Sequence, residues 1–221
     1  MKRVAVNSNS NCLRRNEMKN IILASASPRR RELLEQIGLE FTVIPSHAEE
    51  IITKELPGEI VEELSRQKAE DVARDVEDGI VIGSDTIVWQ DGRVMGKPHS
   101  REEARDMLRR IQGNTHSVFT GVTVIVKDRE AAEKTPEGTV HTFFCETKVH
   151  VYPMTEAETE KYLDSGEPMD KAGAYGIQGK FAAWVSGIEG DYNCVVGLPV
   201  AALWQVLRHY DSSSEEQRVT K

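Results

Sequence analysis

Cysteine is scarce in this chain. Its three cysteines, Cys12, Cys145 and Cys194, are an odd number with no CxxC pair. That excludes a disulfide framework and a thiolate zinc site. It points to a reducing compartment, so a cytoplasmic location is expected. A basic surplus is also missing: 28 lysines and arginines face 36 acidic residues, for a net charge of −8. Bulk nucleic acid is therefore not an expected partner, because duplex binding draws on many cations. A small phosphorylated ligand needs only a local basic cluster. No apolar stretch approaches the ~20 residues of a membrane helix, and the longest candidate, Ile80–Gly83, is strand-sized. The polar residues 1–17 lead into no hydrophobic signal core and read as a flexible arm. His99, His116 and His150 show no HxxxH or HxH spacing and read as surface or satisfied core groups. Gly96-Lys97-Pro98 lacks the earlier glycine and the following hydroxyl residue of a P-loop.

What the sequence does contain is an ordinary globular balance, with 39% hydrophobic and 29% charged residues in 221. One domain with its own core is expected over 18–210, followed by a polar tail, 211–221. Lys19–Ser25 reads as a short strand. Ser27-Pro28 opens a helix, with serine as N-cap and proline in the first turn. Leu33, Leu34 and Ile37 share one face of it, and Gly38 stops it. Phe41–Ile44 is a second strand. Pro57–Asp78 is an amphipathic helix with Ile60, Leu64, Ala69 and Val72 near helical spacing. Ile80–Trp89 is a strand that turns at Asp91-Gly92 into Arg93–Met95. Ser100 caps a helix running to Ile111. Ser117–Val126 and His141–Tyr152 are β-rich runs around a solvated loop, Lys127–Gly138. Thr155–Asp164 is a helix with Glu158 at the capping-box position. A strand, Phe181–Val185, and a helix, Val200–His209, close the pattern. Helices and strands alternate without strict βαβ repetition and a hairpin interrupts them. This predicts an α/β fold with a mixed central sheet and flanking helices.

Four segments carry candidate chemistry. Ser25-Ala26-Ser27-Pro28-Arg29-Arg30-Arg31 runs from a strand end into a helix N-terminus, where free N–H groups attract anions. Ser25, Ser27, Arg29 and Arg30 add donors matched to phosphate oxygens; the plain alternative is a capped helix with solvated arginines. In Gly83-Ser84-Asp85-Thr86 a carboxylate leaves an apolar strand, a rigid place for a metal ligand or a general base, or merely a turn. Lys97 offers a point charge for phosphate. Asp170 through Gly179 sets three glycines among charged, aromatic and amide side chains, as in a loop built around a ligand. Glu49, Glu50 and Lys68 are further candidates. Phosphate donors, carboxylates for a hard divalent cation (Mg²⁺ or Mn²⁺) and an amide-bearing loop together suit phosphoryl chemistry.

In order along the chain, several runs resemble the motifs of the Maf family. They are Leu23 to Arg30, Ser84-Asp85-Thr86, Gly96-Lys97-Pro98, His116 to Val122, Asp170 to Gly179 and Asn193 to Pro199. The resemblance implies nucleoside triphosphate pyrophosphatase activity and a two-lobed fold around a cleft, related to inosine triphosphatases. It also implies a homodimer. By the same resemblance Asp85 is the proton acceptor and a metal ligand, with Glu49 as the second metal ligand. Arg29, Thr86 and Gln178 contact substrate, and Lys68 and Lys97 complete the metal and phosphate site. Thr86 together with Tyr175 to Gly179 resembles the branch acting on thymidine and uridine triphosphates. The rival branch takes 7-methylguanosine triphosphate, and a non-hydrolysing nucleotide-binding regulator of cell division is a third reading. Ser100 departs from the family pattern, which has an acidic residue there.

Overall fold

The computed structural model describes residues 19–131 and 135–210. The arm 1–17, the tail 211–221 and residues 132–134 of the loop lie outside the described residues. In chain order the elements are β1 (Ile21–Leu23), α1 (Pro28–Gln36), β2 (Phe41–Val43), α2 (Pro57–Ala73), β3 (Gly79–Gln90), β4 (Arg93–Met95) and α3 (Arg101–Ile111). They continue with β5 (Thr115–Lys127), β6 (Thr139–Val151), α4 (Glu156–Leu163), β7 (Val185–Glu189), α5 (Tyr192–Val196) and α6 (Val200–Leu207). The seven strands form one mixed sheet in the order β2-β1-β3-β5-β6-β7, with β4 also on β3. β1 runs parallel to both β2 and β3, and all other pairings are antiparallel.

Pleat alternation divides the core. Ile80, Ile82 and Val88 of β3 face a large cluster with Leu33 and Leu34 of α1, Leu108 of α3, Tyr162 of α4 and Leu203 of α6. Val81 and Ile87 face the other way, onto α2, through Ala69, Val72, Ile60, Val61 and Leu64. The α/β fold with a mixed central sheet and flanking helices expected from the sequence is thus present, with one long helix on one face and several shorter ones on the other.

Local signals account for most boundaries. Asp91 and Gly92 have φ of 50° and 75°, as a two-residue hairpin turn between β3 and β4 requires. Ser100 accepts a hydrogen bond from the Glu103 amide. Thr155 and Glu158 form a complete capping box. Ser27 occupies the N-cap position of α1, yet its side chain makes no cap bond. Two elements differ from expectation. α2 stops at Ala73 rather than Asp78, because the chain must leave the helix to reach Gly79, whose φ of 142° opens β3. Phe181–Val185 is not a strand: Lys180–Trp184 is a 3₁₀ turn and the strand follows it. Phe181 is drawn into a ring cluster with Tyr162, Tyr175 and Trp184, and that burial outweighs the strand propensity of a short apolar run.

The sheet order creates the cleft. β1 pairs with β3 only as far as Ile82, and β4 joins the same edge only from Val88. Residues 83–87 lie between those two pairings, with β5 alone beside them. One lobe carries β1, β2 and α1, and the other carries β4 and α3. An edge where neighbouring strands part is where α/β sheets bind ligands. Among the described residues no helix is long and apolar enough to cross a membrane.

Candidate active site

Asp85 and Thr86 sit in that gap, and the pleat sends them to opposite faces. Asp85 points to the α2 side. Lys68 reaches it from α2, with Nζ 2.5 Å from Asp85 Oδ1, both side chains being largely buried. The helix can come this close because the sheet lacks side chains beneath it. A Cβ on Gly83 would clash with the Ser65 carbonyl, and one on Gly121 with the Val61 carbonyl. Ser65 Oγ and Thr123 Oγ1, 2.9 Å apart, bond across the same seam. Lys68 also holds Glu50 Oε1 at 2.8 Å, so one ammonium gathers two carboxylates.

Thr86 points to the other face, where Arg30 is locked. Its Nε donates to the Gly197 carbonyl (2.8 Å), Nη1 to Ser25 Oγ (3.1 Å) and Nη2 to Thr86 Oγ1 (3.3 Å). Of five N–H donors, one on each terminal nitrogen remains for a ligand. Burial pushes the Arg30 pKa below its ordinary value, opposed by the charge of Asp85; a guanidinium still stays charged. The hydroxyls behind it have a defined direction. Thr120 donates to the Cys194 carbonyl at 2.7 Å. Its oxygen, 2.9 Å from Thr86 Oγ1, must therefore accept the Thr86 proton. Thr86 then accepts from Arg30 and has no proton left for a ligand.

A cavity of about 530 Å³ opens over these groups, within the ~300–1,000 Å³ usual for small-molecule sites. A second hollow of about 320 Å³ lies around the N-terminus of α1. Both are lined by Ser27, Arg29, Arg30, Lys68, Lys97 and Asp170. With no side-chain cap on α1, its first-turn amides stay available to an anion. Ser25 Oγ accepts from the Ser27 amide and from Arg30, which leaves its own proton to donate. Arg29 is 3.8 Å from Asp170. Burial opposes the charge on Asp170, but a bond from Lys171 and the charges of Lys171 and Arg29 outweigh it and hold its carboxyl below the ordinary range.

The loop 170–179 closes the other side of the cavity, bringing Tyr175, Ile177 and Gln178 to its lining. The Gly173 amide bonds the Gly96 carbonyl at 3.0 Å, which ties this loop to the turn bearing Lys97. Gly173 has φ of 69°, and a Cβ there would crowd Val88, so glycine is required. Behind the lining, Tyr175 Oη meets His116 Nε2 at 2.7 Å. His116 is buried, its Nδ1 lacks a partner, and burial brings its pKa down to about 4.

The structure therefore brings Ser27, Arg29, Arg30, Lys68, Asp85, Thr86, Lys97 and Gln178 to one cavity, with Ser25 in the adjoining hollow. It corrects one candidate: Glu50, not Glu49, lines the cavity and touches Lys68. In an extended segment adjacent side chains diverge, so although both glutamates are exposed, it is Glu50 whose carboxylate turns to Lys68. Sequence reasoning left Thr120 and Asp170 without roles, although both lie inside motif runs. The support they give depends on contacts distant in sequence.

Among the described residues no three His, Cys, Asp or Glu side chains cluster as a metal cage. Two carboxylates around one ammonium still fit Mg²⁺ or Mn²⁺, which take few protein oxygens and complete their shell with phosphate and water.

The family model described as Maf-like protein matches residues 20–210. The dTTP/UTP pyrophosphatase of Agathobacter rectalis is 54% identical over 204 residues, covering 86% of this chain and 97% of that protein. The dTTP/UTP pyrophosphatase of Lachnoclostridium phytofermentans is 50% identical over 194 residues, 87% of this chain and 96% of that one. Among solved structures, the Ham1 protein of Staphylococcus aureus matches with a TM-score of 0.42 at 17% identity. That match covers 71% of this chain and 85% of the other.

Proposed function

The chain belongs to the Maf family, and on that premise we propose that it is a nucleoside triphosphate pyrophosphatase cutting dTTP and UTP to the monophosphate and pyrophosphate. What supports this reading is the likeness, over nearly the whole chain, to relatives that bear that activity in their names. The site has parts to match. The α1 N-terminus, Ser25, Arg29, the two remaining donors of Arg30 and Lys97 hold the phosphates. They neutralise the charge that builds on the departing pyrophosphate. Asp85 accepts the proton of a water molecule as its oxygen bonds to the α-phosphorus and the bond to the bridging oxygen breaks. Lys68 orients that carboxylate. Glu50 and Asp85 would hold a divalent cation, which supplies charge neutralisation at the phosphate oxygens when bound. The Tyr175–Gly179 segment, Gln178 included, faces the base.

The reading carries with it a homodimer, as the family resemblance implies, a cytoplasmic location, as the cysteine usage implies, and a catalytic domain over 18–210. Size-exclusion chromatography with light scattering tests the dimer. The activity is tested by incubating the full chain with dTTP, UTP, CTP and 7-methylguanosine triphosphate plus Mg²⁺, with products separated by ion exchange. Turnover of dTTP and UTP above the other two is expected. A preference for 7-methylguanosine triphosphate places the chain in the rival branch, and no turnover of any triphosphate leaves only a binding role.

A further inference from the structure

Glu50 stands on an unusual support. Between β2 and α2 the chain runs from Ile44 to Leu56 without regular structure, yet it carries a carboxylate that must meet Lys68. Such a strap has many conformations to lose, so something must hold it. Three side chains of α2, spaced by four residues along one stripe, do so. Asp71 accepts from Ser46 Oγ (2.8 Å) and the His47 amide (2.9 Å). Glu63 accepts from the Thr53 amide (2.8 Å) and Thr53 Oγ1 (2.5 Å). Gln67, the middle rung, holds both backbone groups of Ile51. Its Oε1 accepts from the Ile51 amide at 3.0 Å, and its Nε2 donates to the Ile51 carbonyl at 2.6 Å.

Ile51 follows Glu50 directly, and Lys68 follows Gln67 directly. The pair of hydrogen bonds between Gln67 and Ile51 therefore sets the strap against the helix at the point where Glu50 must reach Lys68 Nζ. A primary amide is the side chain suited to this, because it presents a donor and an acceptor side by side, as a backbone partner in a ladder does. Glu50 is itself 55% exposed, so its own ion pair is too weak to hold the strap alone.

We infer that Gln67 is a positioning residue for Glu50: it touches no substrate, and it sets the carboxylate beside Lys68 and Asp85. This rests on the proposed reading of the cavity. The test is a double-mutant cycle on the full chain. Gln67→Met keeps length and helix propensity but loses both bonds. It is expected to lower kcat/KM for UTP about ten-fold with little change in melting temperature. Glu50→Ala is expected to lower it at least as much. The double variant should be no worse than Glu50→Ala, because Gln67 acts only through that carboxylate. Losses that multiply, or a Gln67→Met protein with wild-type kinetics, overturn the inference. Hydrogen exchange at the Ile51 amide gives a readout free of catalysis. It should speed up in Gln67→Met, and unchanged exchange overturns the clamp whether or not the wild type is active. A wild type that turns over no triphosphate counts against the functional reading, with the exchange result still deciding the clamp.

Discussion

Thr120→Val removes one hydroxyl from the wall behind the cavity and puts a methyl group of the same size in its place. Thr120 is fully buried, so the change should create no cavity. It leaves the buried Cys194 carbonyl without the Thr120 donor, at a cost of ~1–3 kcal/mol. Thr86 loses its acceptor, but it lines the cavity and can turn its proton toward water there, so it adds little. For a domain of 150–250 residues each kcal/mol lowers Tm by ~2–4 °C, so a fall of about 2–12 °C is expected. Arg30 keeps its bonds to Ser25 and Gly197, while Thr86 is no longer constrained to offer it a lone pair. A fall in kcat/KM of less than ~10-fold follows, the scale of one neutral hydrogen bond. Thr120→Ser keeps the hydroxyl and should restore the kinetics. Differential scanning calorimetry and steady-state assays read both effects. Equal Tm and kinetics in Thr120→Val would refute the reasoning, as would a serine variant as impaired in turnover as the valine variant.

Asp85→Asn keeps the shape of the side chain but removes the base, and kcat should fall by ~10²–10⁴ with the fold intact by circular dichroism; near-normal turnover removes Asp85 from the mechanism. Arg29→Lys keeps the charge but loses the flat fork matched to phosphate, so turnover should drop clearly, and equal kinetics would make Arg29 a merely solvated helix residue. Gln178→Ala should lower activity on dTTP and UTP and narrow the gap to CTP, read by competition assays. A gap of one to two decades in the wild type corresponds to ~1–3 kcal/mol for one buried group left unpaired by cytosine. His116 has its pKa lowered from 6.5 to about 4 by burial, so the unfolded chain binds the extra proton first. Its contribution is complete above pH 6.5 and is lost as pH falls toward 4, by up to about 3 kcal/mol. Urea titrations at pH 7 and pH 5 should show a larger loss in the wild type than in His116→Gln.

Much of this architecture was legible because local chemistry and tertiary structure agree. The Asp91-Gly92 turn, the Ser100 cap and the Thr155–Glu158 box each satisfy backbone groups within a few residues, so sequence alone exposes them. The helix N-terminus at α1, the candidate anion site, was legible for the same reason, as strand, serine, proline and arginines are contiguous. What was not legible depends on distant partners. Glu49 and Glu50 are the same residue type side by side, and only the strap's docking on α2 chooses between them. Thr120 acts through Thr86 and Cys194, 34 and 74 residues away. Arg30 read as a free phosphate donor, whereas three of its N–H groups hold Ser25, Thr86 and Gly197 in place. Phe181 read as a strand residue because five apolar-rich positions carry no period, and a ring cluster with Tyr162 and Tyr175 from two other segments decided otherwise.

The central claim is that water attacks the α-phosphorus within this cavity. Hydrolysis of UTP in ¹⁸O-labelled water, with products analysed by mass spectrometry after a single turnover, tests it most directly. Attack at the α-phosphorus gives uridine monophosphate carrying one ¹⁸O and unlabelled pyrophosphate. Label in the pyrophosphate, or uridine diphosphate with labelled orthophosphate, would contradict it.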